Sequence, residues 1–344
     1  MDKGLSARTC APAALQAHEL AAWAQLNASV PALASPFLSA QYAQAVQAAG
    51  QDARVCVISR GGKPVAFLPY QLPDRITALL RSAEPAGAEM TDYFGLVAEP
   101  GLRIAPGQLL ALARLNYLNF SHLDASQLAY GLAGEQPRTG LRVRLDRHAE
   151  APLQVLLADN RKYRNDSDRR ARQLVKEVGP IEFVFDVQEG RAAVLAELVA
   201  HKRAQYARTG AFDALAAPWR QRLLEQLLAV RAPGCRSVLS TLSAGGEWVA
   251  KHYGLLGNGQ LQYWLPVYNP AMSKYAPGRL LIHSIIEASG AEGIDVIDRG
   301  EGDTPSKREI ANEEHQFLRG VWQTGTLAGQ AARALQSLKW RLAA

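Results

Sequence analysis

Two stretches of the chain, 184 positions apart, carry one pattern: Ser59-Arg-Gly-Gly-Lys-Pro-Val-Ala66 and Ser243-Ala-Gly-Gly-Glu-Trp-Val-Ala250, with five identities in eight residues. Each lies between two short β-prone runs, Arg54 to Ile58 then Val65 to Tyr70, and Ser237 to Leu242 then Trp248 to Leu255. A Gly-Gly step between such runs predicts a tight hairpin, because both central residues need the positive φ that glycine adopts at little cost. A helix-like segment precedes each hairpin, at Ala40 to Ala49 and Gln221 to Val230. The pattern predicts a duplicated domain, with two unrelated hairpins as the plainer alternative. Length agrees with duplication, since 344 residues exceed the roughly 250 to 300 at which one core stops growing.

The second half can be followed further. Gly257-Asn-Gly259 is another hairpin signal, followed by the run Leu261 to Tyr268. After Asn269-Pro270, apolar residues at 280, 281, 282, 285 and 286 predict a buried amphipathic helix opened by Pro277. Ile294 to Asp298 reads as a strand, Arg299-Gly-Glu-Gly-Asp303 as a glycine-rich loop, and Phe317 to Trp322 as a closing strand of the same domain. The expected order is three antiparallel strands, a helix, a strand, a loop and a strand. With a linker placed at Leu145 to Pro152, the expected division is 1–150, 151–323 and a terminal amphipathic helix over 324–344, which pads the domain surface or touches an anionic membrane.

Charge is concentrated. Between Arg161 and Lys176 seven bases face only Asp166 and Asp168, which accounts for five of the chain's six net positive charges. At helical spacing Lys162, Arg169, Arg172 and Lys176 share a face. The readings are a solvated surface or a contact with an anionic substrate; without interleaved aromatics or a known motif, nucleic acid is not an expected partner. Cys10, Cys56 and Cys235 are too scattered for a disulfide framework or a zinc site, so no metal is expected. No stretch approaches the ~18 apolar residues that span a bilayer, and Met1 to Ala11 has no apolar run of the signal-peptide kind; the expected place is the cytoplasm. The G-x-S-x-G elbow, the phosphate loop G-x-x-x-x-G-K-[ST] and the H-E-x-x-H helix are missing from the sequence.

Several pieces match a known group in order and spacing. They are Lys162-Tyr-Arg-Asn-Asp-Ser-Asp-Arg-Arg170, Val249-Ala-Lys-His252, Tyr263-Trp264 with Pro266 and Tyr268, Pro277-Gly-Arg-Leu-Leu281, and Asp298-Arg-Gly-Glu-Gly-Asp303 with Lys307. In the first half Pro36-Phe37 with Tyr42, Val65 to Tyr70, Asp92-Tyr93 and His122-Leu123 join them. From about residue 35 to 322 the chain resembles the GNAT-related acyltransferases of the CelD/BcsL group, named for cellulose biosynthesis and kin to the FemAB aminoacyltransferases. The resemblance implies an α/β protein of mixed sheets built as two tandem GNAT-like domains. It implies transfer of an acyl group from acetyl-CoA or another acyl-CoA to an amine, such as an amino sugar or envelope precursor, with peripheral association with a membrane synthase. One departure stands out. The pyrophosphate turn of GNAT enzymes reads Q/R-x-x-G-x-G/A, and taking Gly278 as its last glycine puts Ser273 and Ala276 where Gln/Arg and the first Gly belong. A carrier-protein or charged-tRNA donor of the FemAB kind, and a catalytically silent scaffold of a polysaccharide synthase, therefore stay open.

Transfer from a thioester to an amine needs an anion site, a polarised carbonyl and a proton sink. Pro277 opens its helix without losing a needed donor; the N–H groups of Gly278, Arg279 and Leu280, with the Arg279 charge, are the expected phosphate site. Tyr263 and Lys307 complete the expected donor contacts. Backbone N–H groups near Tyr263 to Val267 would polarise the carbonyl, where Pro266 breaks strand pairing. His252 is the first candidate base, because imidazole titrates near neutrality and its strand faces the site; the alternative is a hydrogen-bonded structural histidine. Asp298 is the second, with Glu301 beside it; both can equally be carboxylates that accept loop N–H groups or pair with Lys307. Tyr268 could protonate the departing thiolate, or simply pack.

Overall fold

The computed structural model describes residues 4–343, with side chains described to residue 338. It divides into two compact units, Met1–Thr139 with His315–Ala344, and Gly140–Glu314. This differs from the expected division at 150 and 323.

In the first unit the strands Leu5–Cys10, Asp52–Arg60 and Lys63–Leu72 run antiparallel, and Ser82–Pro85 follows on the same edge. Ser82–Pro85 then pairs in parallel with Tyr117–Asp124, and residues 317–323 close the sheet against Tyr117–Asp124, antiparallel. The helix Leu327–Ala343 packs with this unit: Ala332 is buried and the Thr324 amide donates to the Asn116 carbonyl at 2.9 Å.

The second unit repeats the plan. Ile181–Val184, Cys235–Ala244, Glu247–Gly257 and Gln260–Tyr268 are successive antiparallel neighbours. Gln260–Tyr268 then pairs in parallel with Val296–Glu301, and residues 140–144 close the sheet on its far side. The closing strands are thus exchanged along the chain. Phe317 to Trp322, expected to complete the second half, pairs with the first unit, while the segment just before the expected linker completes the second. Periodicity shows that a strand exists and which face is apolar; it does not say which open sheet edge the strand will satisfy.

The two repeated hairpins form as their sequences require. Gly61 and Gly62 have φ of 56° and 80°, Gly245 and Gly246 have 55° and 83°. The helix Pro277–Glu287 buries Leu280, Leu281, Ile282, Ile285 and Ile286 against the second sheet, as its spacing predicts.

Strand Glu247–Gly257 changes register against its neighbour between Tyr253 and Leu255. A Cβ on Gly254 would press into the Gln262 carbonyl oxygen and the His252 ring, whereas one on Gly278 meets nothing within 4 Å. Overpacking of this kind costs about 1–3 kcal/mol. Gly254→Ala is therefore expected to lower the urea midpoint by that amount, while Gly278→Ala leaves it unchanged within about 0.5 kcal/mol.

Candidate functional site

The parallel contact between Gln260–Tyr268 and Val296–Glu301 lasts three residue pairs, Gln260 with Val296, Leu261 with Ile297, and Gln262 with Asp298. Beyond Gln262 the two strands part. A cavity of about 280 Å³ occupies the opening, lined on the first strand by Tyr263, Pro266, Val267 and Tyr268, and on the side of the second by Arg299, Ser306, Glu309 and Ile310. The helix Pro277–Glu287 contributes Gly278 and Arg279, the helix Arg161–Glu177 contributes Tyr163, and the helix Arg191–Thr209 contributes Lys202 and Gln205.

Main-chain direction within the first strand follows from its partners. The Asn269 amide donates to Val249 in the neighbouring strand at 2.9 Å, so by alternation the Tyr268 amide points the other way, toward the opening. Pro266 has no amide hydrogen, and its carbonyl accepts from Lys202 Nζ at 2.8 Å. Proline is tolerated here because its face of the strand has no ladder partner.

Of the residues singled out from sequence, Tyr263, Tyr268, Gly278 and Arg279 line this cavity. Their roles differ from expectation in one respect. The amides of Arg279 and Leu280 both donate to the carbonyl of Ala276, at 2.9 and 3.2 Å, as the first bonds of the helix that Ala276 caps. Two of the three amides expected to bind phosphate are therefore committed, and Leu280 is a buried packing residue. The Arg279 guanidinium is also engaged, with Asp166 Oδ2 at 2.9 Å and Glu309 Oε1 at 3.0 Å, and it lies 4.2 Å from the centre of the Tyr163 ring. Pro277 is buried at the start of its helix.

His252, Asp298, Glu301 and Lys307 are not among the cavity-lining residues. His252 is fully buried, stacked on the Tyr263 ring at 4.5 Å with 11° between planes. Burial pulls its pKa down to about 3, against a smaller opposing contribution from the Gln262 backbone, so the imidazole stays neutral beneath the cavity floor. The expectation that it faces the site is corrected: the ring is enclosed against Tyr263 and does not line the cavity. Asp298 is fully enclosed, with Arg142 Nε at 2.9 Å from Oδ2 and the Gly300 amide at 2.7 Å from Oδ1. It holds the glycine-rich loop in place. Lys307 does the same, donating to the Glu301 carbonyl at 2.8 Å, and Glu301 itself is half-buried on that loop.

The basic helix is less free than its composition suggests. Arg170 and Arg169, with Arg279, hold the Asp166 carboxyl well below the usual carboxylate range; Lys162, Arg172 and Lys176 are exposed.

Lys202 was not found from the sequence. Its side chain is buried, and desolvation lowers its pKa to about 8. The signal is present in the helix itself: Leu195, Leu198 and Lys202 fall at i, i+3 and i+7, which sets a lysine in the buried stripe. Tyr163, whose hydroxyl lies 3.1 Å from His283 Nε2, stands in the sequence only as part of a motif; burial raises its pKa to about 12. Among the described residues no group of three or more His, Cys, Asp or Glu side chains could hold a metal ion, and no helix is long and apolar enough to cross a membrane.

Antiparallel strands, then a parallel pair that diverges around a cavity beside a helix N-terminus, is the cleft of one fold. Residues 161–308 match the acetyltransferase (GNAT) domain family. The chain has a GNAT-type acyltransferase fold. In three dimensions it is similar to the C-terminal DUF2156 domain of a protein described as a lysylphosphatidylglycerol synthetase from Agrobacterium fabrum, with TM-score 0.55 and 14% identity over 94% of this chain and 96% of that one. It is similar to FemX, with TM-score 0.54 and 10% identity over 82% and 90%. A tandem GNAT protein from the clavulanic acid biosynthesis pathway aligns at TM-score 0.51 and 14% identity over 94% and 99%, consistent with two GNAT-like units in one chain. At these identities the likeness is one of fold. No curated protein matches the sequence.

Two predictions test the site's framework. Arg142→Met leaves the Asp298 carboxylate enclosed without its cation, a change that costs about 3–5 kcal/mol, read as a lower urea midpoint. For His252 the folded pKa lies below the unfolded one, so its contribution is fully present above about pH 6.5 and is lost as pH falls toward 3. Between pH 7 and 5 this amounts to about 2 kcal/mol; His252→Phe, which keeps the stack on Tyr263, should flatten the pH dependence of the unfolding midpoint by that amount.

Proposed function

We propose that the protein is an N-acyltransferase that moves an acyl group from acetyl-CoA or another acyl-CoA to the amine of a small acceptor, in the cleft between Gln260–Tyr268 and Val296–Glu301. The observation that carries this reading is the divergence of the two parallel strands after Gln262, with the Tyr268 amide turned into the opening. A preorganised main-chain donor aimed at the place where a carbonyl oxygen gains charge is what acyl transfer requires. The space over Gly278 lets the donor approach the backbone closely, and the Tyr268 hydroxyl, at the strand end, is the proposed source of a proton for the departing thiolate. An amino sugar or another envelope precursor as acceptor and peripheral association with a membrane synthase rest on the resemblance to the CelD/BcsL group, and a cytoplasmic site of action rests on the hydropathy of the sequence.

A second reading has one observation in its favour. With the Arg279 guanidinium held between Asp166 and Glu309, and the Arg279 and Leu280 amides spent on Ala276, the helix start offers little to a pyrophosphate. A donor that brings its acyl group without one, a charged tRNA or an acyl carrier protein, meets that arrangement at less cost.

Thermal unfolding with acetyl-CoA and, in parallel, with aminoacylated tRNA separates the two. A ligand bound only by the folded state stabilises it by about 2.7 kcal/mol at a hundredfold excess over Kd. The expected result is a saturable rise with acetyl-CoA that is lost in Gly278→Glu. A rise with charged tRNA alone replaces CoA by the FemAB-like donor; a flat response to both, and to an acylated carrier protein as a third ligand, rejects transfer in favour of a silent scaffold.

A further inference from the structure

The cavity contains one ammonium group and no settled place for the proton that an attacking amine must lose. His252 lies under the floor and Asp298 is engaged by Arg142 and the Gly300 amide. Lys202, by contrast, reaches the cavity from a buried position. Its Nζ is 2.8 Å from the Pro266 carbonyl oxygen and 3.5 Å from Gln205 Oε1. An uncharged primary amine has two N–H bonds and one lone pair. With the two N–H bonds directed at these two acceptors, the lone pair is left for the cavity. Pro266 and Tyr268 are two residues apart and turn the same side of the strand to the opening, so Nζ sits about 7 Å along the strand from the amide proposed to hold the carbonyl.

We propose that Lys202 is the proton acceptor of the transfer, an inference that rests on the acyltransferase reading given above. As the amine nitrogen bonds to the thioester carbonyl carbon, Lys202 Nζ takes the proton the nitrogen sheds. The carbon–sulfur bond then breaks, the sulfur leaves with its electron pair, and Lys202 returns the proton through Tyr268 or solvent, so the enzyme ends in its starting state.

The surroundings suit this task. The charged groups that face the same cavity are Arg279, Arg299 and Glu309, and the titratable phenols are Tyr163, Tyr263 and Tyr268. Arg279 and Glu309 neutralise each other, and Arg299 Nη1 donates to the Ser306 and Lys307 carbonyls. On the helix of Lys202 itself, Tyr206 lies beneath the ammonium, 5.3 Å from ring centre to Nζ. Among the described residues no carboxylate forms a salt bridge with Lys202. Desolvation without a counter-charge brings Lys202 to about 8, so roughly one molecule in ten is uncharged and ready at pH 7.

Competitive trace labelling of the full chain with deuterated acetic anhydride from pH 6 to 11, read peptide by peptide in the mass spectrometer, tests this directly. Lys202 should titrate near 8, and saturating CoA should slow the labelling of Lys202 and not of exposed Lys162. Lys202→Arg, which keeps the charge and cannot give up its proton, should retain the thermal shift with acetyl-CoA and lose at least a hundredfold of the CoA release seen with glucosamine as acceptor. Lys202→Met, of similar length and uncharged, controls for folding. A Lys202 that titrates near the ordinary lysine value of about 10.4, labelling that CoA fails to slow although CoA raises the unfolding temperature, or full activity in Lys202→Arg would each overturn the assignment and leave the acyltransferase reading standing. If CoA and acetyl-CoA give no thermal shift at all, the donor reading falls and the inference with it.

Discussion

Three residue pairs of parallel β-structure govern the second half of this molecule. Parallel strands stay together only while both offer main-chain groups in step, and here Gln260–Tyr268 and Val296–Glu301 are in step only as far as Gln262 and Asp298. The second strand is held along its other edge by residues 140–144, with a bulge between Asp298 and Glu301, and past Gln262 the first strand turns its free groups on a cavity. The enclosed Asp298 carboxylate, held by Arg142 and the Gly300 amide, secures the second strand at the place where the two separate. The opening is thus built into the sheet and does not depend on any loop closing over it.

Electrostatics in the same region follow from how completely the guanidinium groups are spent. Asp166 collects Arg169, Arg170 and Arg279, Glu309 takes the other side of Arg279, and Arg299 donates to main-chain carbonyls. A segment that carries most of the chain's net charge therefore contributes less field at the cleft than its composition implies. Lys202 has a carbonyl and an amide oxygen as its polar neighbours and forms no salt bridge among the described residues, and burial lowers its pKa.

Much of the architecture could be read locally. Gly61-Gly62 and Gly245-Gly246 announce their hairpins because both positions take positive φ, and the apolar spacing from Leu280 to Ile286 describes one helix face. His252 shows where such reading stops. The sequence places its strand, but burial and the stack on Tyr263 are decided by the fold. Lys202 shows the converse, a charged residue on an apolar stripe whose meaning depends on a carbonyl 64 residues away in the chain.

The sequence by itself determined the elements, the repeated plan and the neighbourhood of the cleft, because turns, helix starts and amphipathic faces are settled by residues within a few positions of one another. Only the tertiary structure decided which strand closes which sheet, that the amides of Arg279 and Leu280 are already spent, and that Lys202 rather than His252 reaches the cavity. The physical reason is common to all three: an open sheet edge, an amide hydrogen and a buried charge each take whatever partner the fold brings near, and that partner is set by contacts far apart in the chain.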